Sequence, residues 1–232
     1  LREVLAKTLA ARVDRDALLD SRRTADRTDP AVWAALVEFG LPGLALPDAL
    51  GGAGASHRLL YAAIEEAGKA LAPAPLVPTV IALEVAAATD ARQLAQRIAG
   101  GAPAAFAVPL DDGGWVTADE ALPRWDGTAL HGESPLVPGA PDAELLLVLA
   151  ASGDGPVLVA VPRNAGGLTV TAEQPLDLTS TVGAVRFART VGDVVADGAR
   201  LTDALDRAYR RALLTVAADA VGVGSAALAA AV

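Results

Sequence analysis

Few residues in this chain pair chemistry-bearing side chains at spacings that let them act together. Asp111-Asp112, followed by Gly113-Gly114, sets two carboxylates side by side as general acid-base work would need. An Asp-Gly step between apolar runs, however, is the signature of a hairpin turn. His57 and His131 have no partner at ligand spacing, so no metal site is expected. Gly51-Gly52-Ala53-Gly54 has the glycine density of a phosphate loop, yet no strand pattern precedes it and no Lys-Ser/Thr follows, which leaves a structural turn. Ser21-Arg22-Arg23 and Arg210-Arg211 carry the charge to meet phosphate groups, although solvated helix faces account for them. Asp219 stands in an otherwise apolar helical run and needs a hydrogen-bonding partner if buried. Trp115 and Trp125 read as packing residues.

Composition narrows the partners. With 232 residues, 53% of them hydrophobic, the chain can bury a large core as one large domain or two smaller ones. A net charge of -9 opposes nonspecific attraction to nucleic acid or anionic lipid. The lack of cysteine excludes disulfides, thiolate metal sites and a cysteine nucleophile, and permits the cytoplasmic location expected here. There is no methionine, and Leu1 opens the chain, so it reads as trimmed, processed or incompletely represented. Residues 1 to 23 are too charged for a signal peptide. Ala212 to Val232 is long enough to span a membrane, but its alanine, glycine and Asp219 predict a buried bundle helix and no membrane span.

These residues must be positioned by three kinds of element. Leu1, Leu5, Leu9, Val13 and Leu18 predict an amphipathic helix over residues 1 to 23. Asp29-Pro30 predicts a capped helix over Ala31 to Phe39 that stops at Gly40. Ser56 opens a helix to about Leu71, and Pro73, Pro75 and Pro78 precede two more, about Thr79 to Ala88 and Asp90 to Ala99. Short β-favouring runs follow at Phe106 to Val108, Ala143 to Ala150, Val157 to Val161, Leu168 to Thr171 and Ala184 to Phe187. Helical spacing returns at Leu201, Leu205, Tyr209, Ala212, Leu213 and Val216, and beyond Ala212 the helix is apolar on nearly every face. The fold class is therefore α+β: an all-α domain over 1–100, an antiparallel β-barrel or sandwich over 101–199, and the start of a further helical domain over 200–232. A last helix of this composition calls for further chain or a partner subunit to cover it.

Four stretches in this order resemble the acyl-CoA dehydrogenase family. They are the glycine turn from Gly40 to Gly54, the run Ser134 to Val148, the run Gly166 to Val170 with Leu176-Asp177-Leu178-Thr179, and Ala217 to Gly224 with Ala227-Leu228. The resemblance implies α,β-dehydrogenation of an acyl-CoA thioester with FAD, the flavin accepting a β hydride while a desolvated carboxylate takes the α proton. It implies Val108, Pro109, Leu136, Val137, Pro138 and Gly139 as flavin-side residues, and an electron-transferring flavoprotein or similar acceptor. It also implies a homo- or hetero-oligomer with most of the C-terminal bundle outside this sequence.

The chain departs from the family pattern at two places. Where members carry Thr-Glu-Pro-x-x-Gly-Ser-Asp, this chain has Phe106-Ala107-Val108-Pro109-Leu110-Asp111-Asp112-Gly113-Gly114. The base that some branches place on the first C-terminal helix falls at or near Ala212, so no catalytic residue is assigned. Two further readings therefore stand beside the dehydrogenase: a non-catalytic partner subunit in a hetero-oligomer, and an oxidase or monooxygenase of the same fold.

Overall fold

The computed structural model describes residues 1–14, 16, 18, 28–111, 114–177 and 179–231. Helices come first: α1 (Arg2–Ala10), α2 (Pro30–Glu38), α3 (His57–Ala70), α4 (Leu76–Ala88) and α5 (Arg92–Ala99). Of the helix expected over residues 1 to 23, α1 is seen with Leu5 and Leu9 buried, but it ends at Ala10, and residues 11–14 are turn and coil; Ser21-Arg22-Arg23 lies outside the described residues. Arg2 bonds Glu65 and Glu66 at 2.8 and 2.6 Å, which ties α1 to α3.

The local signals act as the residue chemistry requires. Asp29 Oδ1 accepts from the amides of Ala31 and Val32 at 2.8 and 3.4 Å, and Pro30 takes a position whose amide would be unpaired anyway. Gly40 ends α2 with φ +66°, letting the Leu41 amide return to the Leu36 carbonyl at 3.0 Å. Ser56 precedes α3 but its side chain makes no capping bond. α4 begins at Leu76, ahead of the expected Thr79, because Pro78 falls in the first turn where no intrahelical amide is needed.

A mixed, mainly antiparallel sheet follows. Its strands are β1 (Ala104–Ala107), β4 (Arg124–Trp125), β5 (Leu130–Pro138), β6 (Leu145–Ser152), β7 (Gly155–Pro162), β8 (Leu168–Ala172), β9 (Val182–Thr190) and β10 (Asp193–Asp197). The order is β10-β7-β6-β4-β5-β9-β8, with β1 beside β6 in parallel, Ala104 opposite Leu145. β2 (Leu110–Asp111) and β3 (Gly114–Trp115) form the expected hairpin; its tip, Asp112 and Gly113, lies outside the described residues. β5 escapes a reading by strand propensity because Gly132, Pro135 and Pro138 interrupt it and a bulge falls between Ser134 and Val137.

The sheet is covered on both sides. Leu145, Leu147 and Leu149 of β6 join a core with α4, α5 and α6 (Gly198–Ala231), while Leu146, Val148 and Ala150 join the opposite core with Val137, Val185 and Phe187. This is why β6 and β7 appear in sequence as continuous apolar runs. A third core joins α1, α2, α3 and the start of α4.

α6 packs on α3 and α4 along a stripe of small and apolar residues: Leu201, Leu205, Ala208, Ala212, Thr215 and Gly222. Leu213 and Val216, expected on that stripe, are half exposed instead, and Leu214, Val221 and Leu228 are also open. Beyond Ala212, α3 and α4 cover one side only, which leaves open the apolar face expected to call for further chain or a partner subunit. By length and composition alone, Arg200–Ala231 is long and apolar enough to cross a membrane.

Candidate functional site

A cavity of about 380 Å³ lies where the helical layer, the ends of β5 and β9, and α6 meet. The α3–α4 junction contributes Gly68, Leu71 and Leu76; the end of β5 contributes Pro138 and Gly139; α6 contributes Asp219 and Val223. Each part is placed by a local device. Leu71 turns the chain out of α3 in the left-handed region, φ +53°. Gly139, φ +74°, sits so close to α4 that a Cβ there would meet Pro78 at 2.6 Å. Gly68 faces α6 so closely that a Cβ would lie 2.5 Å from the Asp219 carbonyl oxygen.

The polar wall of the cavity is organised around carboxylates. Asp142 accepts from the Thr28 hydroxyl at 3.0 Å through Oδ1 and from the Thr181 hydroxyl through Oδ2. Asp177 Oδ1 accepts from the Thr179 hydroxyl and amide, both at 2.8 Å. The Gly139 amide donates to the Thr181 carbonyl at 2.8 Å, which pins the end of β5 to this wall. The expected hydrogen-bond partner for Asp219 is not found among the described residues. Burial, and then the neighbouring Asp177 charge, push its carboxyl above the usual aspartate range. The sequence reading missed Asp142 and the Thr179–Thr181 wall, whose signal was the hydroxyl run Thr179-Ser180-Thr181 shortly after Asp177.

The six flavin-side candidates do not converge on one surface. Pro138 and Gly139 border the cavity, and Leu136, 60% exposed with φ +53°, projects at the β5 bulge. Val108 and Val137 are buried in the cores on opposite sides of the sheet, and Pro109 is buried too. None of the six side chains donates or accepts a hydrogen bond, and Pro109 and Pro138 also lack an amide hydrogen. An isoalloxazine has a polar edge whose oxygens and nitrogens need such partners when removed from water. Their side chains offer FAD apolar packing only, so polar contacts to its edge would have to come from backbone amides or from other residues.

A second polar cluster lies between α3, α4 and α6. Glu84, the lone acid of an apolar helix, is buried with its carboxylate 2.6 Å from Arg211 Nη1 and 2.9 Å from His57 Nε2. Arg211, a candidate for phosphate contact, is thus engaged with Glu84, whereas Arg210 is exposed. His131 pairs with Asp126 at 2.9 Å. Ala212 is buried and, as an alanine, offers no base. Trp115 packs between Phe106 and Tyr209, at 4.8 and 5.1 Å between ring centres, as a packing residue should. The Gly40 to Gly54 segment is a folded turn: a Cβ on Gly52 would fall 2.2 Å from the Leu46 carbonyl, so the glycine is sterically required.

Comparison with known proteins gives a consistent picture. Residues 1–96 match the model of the acyl-CoA dehydrogenase N-terminal domain. The chain is 38% identical over 86 residues to acyl-CoA dehydrogenase IpdE2 of Mycolicibacterium smegmatis, a match covering 35% of this chain and 28% of that one. It is 28% identical over 185 residues to acyl-CoA dehydrogenase FadE34 of Mycobacterium tuberculosis, covering 68% of this chain and 24% of that one. Among solved structures, the Tcur3481-Tcur3483 steroid ACAD variant superposes with a TM-score of 0.79 at 29% identity, covering 98% of this chain and 63% of its own. The chain thus spans about a quarter to a third of the curated relatives it matches, and under two thirds of that solved chain.

Proposed function

We propose that this chain, whose residues 1–96 match the acyl-CoA dehydrogenase N-terminal domain, is a member of that family and serves as the acyl-holding subunit of an FAD-dependent enzyme that dehydrogenates an acyl-CoA thioester between Cα and Cβ. The observation that carries this reading is the cavity walled by all three layers, with apolar side chains from the α3–α4 junction and α6 facing the end of β5. Such a cleft desolvates an acyl chain and fixes its orientation, which is the positional share of catalysis. The apolar side chains of the flavin-side residues and the lack of a carboxylate at Ala212 favour a chain that acts beside a partner subunit carrying the base and the polar flavin contacts. The open apolar face of α6 supports an oligomer, since exposed patches of that kind mark association surfaces. A cytoplasmic setting and an electron-transferring flavoprotein as final acceptor belong to the same reading.

The test is direct. The purified chain should bind octanoyl-CoA in a calorimetric titration while its visible spectrum shows no flavin band. Stoichiometric FAD on the chain by itself would overturn the division of labour, and absence of any acyl-CoA binding would overturn the role of the cavity.

A further inference from the structure

We propose that Asp219 sets the substrate class of this cavity, selecting acyl groups that carry a hydrogen-bond-donating hydroxyl and rejecting acyl groups that end in a carboxylate; this rests on the reading of the cavity as the acyl site. Three observations combine.

First, the hydroxyls of Thr28 and Thr181 donate to Asp142, and that of Thr179 donates to Asp177, so these groups turn lone pairs, and not protons, toward a guest. Second, the lining includes Asp142, Asp177 and Asp219 and no lysine, arginine or histidine among the described residues, so a ligand anion meets only like charge. Third, Asp219 differs from the other two acids. Their oxygens are engaged by threonines, whereas its carboxyl, half buried on α6, has no protein hydrogen-bond partner among the described residues.

Its position is held from both sides. Gly68 and Gly222 let α3 and α6 approach to backbone contact, and a Cβ at residue 68 would stand 2.9 Å from Asp219 Oδ1. The carboxyl packs against Gly68 of α3, which as glycine leaves it room, and borders the cavity shared with Pro138 and Gly139. A half-buried carboxyl without a partner carries a desolvation cost that a ligand hydroxyl would relieve. Plain alkyl chains leave the cost standing, and a second carboxylate raises it.

The experiment is calorimetric titration of the wild-type chain, Asp219→Ala and Asp219→Asn with octanoyl-CoA, ω-hydroxyoctanoyl-CoA and ω-carboxyheptanoyl-CoA. For the wild type, the hydroxylated thioester should bind about tenfold tighter than octanoyl-CoA, and the carboxylated one about tenfold weaker. Asp219→Ala should bring the hydroxylated and plain thioesters together while keeping octanoyl-CoA binding, and Asp219→Asn should recover binding of the carboxylated thioester. If octanoyl-CoA binds but the wild type ranks all three equally, or if Asp219→Ala keeps the hydroxyl preference, the role of Asp219 is refuted and the acyl site survives. If none of the three binds, the acyl site itself falls. Should a variant fail to fold, the wild-type ranking still decides.

Discussion

Substitution of Gly222 by alanine separates helix propensity from helix packing, because the two predict opposite signs. Propensity alone favours alanine by about 1 kcal/mol in a helix interior. In the structure, a Cβ at residue 222 would lie 2.2 Å from the Glu65 carbonyl oxygen and 2.9 Å from the Lys69 amide nitrogen of α3. Both are backbone atoms, so no rotamer change relieves the clash. The helices must part by roughly 1 Å to restore ordinary carbon–oxygen contact at ~3.3 Å, along the interface that seats α6. Overpacking of this kind costs about 3 kcal/mol at its upper end, leaving a net loss of about 2 kcal/mol after the propensity gain. Gly224 is the internal control: it is on the same helix, and nothing lies within 4 Å of its would-be Cβ. Gly224→Ala should therefore stabilise by up to about 1 kcal/mol. In thermal unfolding followed by far-ultraviolet circular dichroism, Gly222→Ala should melt roughly 4–8 °C lower and Gly224→Ala roughly 2–4 °C higher than the parent. If both variants rise together, α6 is not seated on α3 at backbone contact, and the placement of Asp219 at the cavity goes with it.

Two further substitutions probe the buried polar groups. Glu84→Ala removes the shared acceptor of Arg211 and His57; since both partners are partly exposed and can rehydrate, the expected loss is about 2 kcal/mol, read as a shift in urea midpoint without a change of slope. Asp219→Asn should stabilise the chain at neutral pH. The folded-state pKa of Asp219 is raised, so the wild type loses stability as pH rises from the ordinary aspartate value of 3.8 through that higher value, while asparagine does not titrate. The gain should vanish below pH 3.8, where both side chains are neutral; a gain that is constant with pH would exclude ionisation as its cause.

Local chemistry made much of the helical layer legible. Asp29, Pro30 and Gly40 bound α2 because each satisfies a requirement of its own few residues, an orphan amide or a left-handed turn. The Leu76 start of α4 was hidden by reading Pro78 as a breaker, when a proline in the first turn costs no hydrogen bond. β5 was hidden for a different reason. Its pairing with β9 from Leu130 to Pro138 is held by partners distant in sequence, and its bulge erases the alternation that marks a strand.

The site divides in the same way. Sequence by itself determined the order of layers, the apolar character of β6, β7 and α6, and the oddity of one aspartate in the last helix, since these depend on residue type and near-neighbour spacing. Tertiary structure alone decided that Asp219 packs against Gly68 and shares a cavity with Asp142 and Thr181, that Glu84 captures Arg211, and that Val108 and Val137 lie in cores on opposite sides of the sheet. Those outcomes depend on how closely backbones approach across elements far apart in the chain, and that distance is a property of the packed whole.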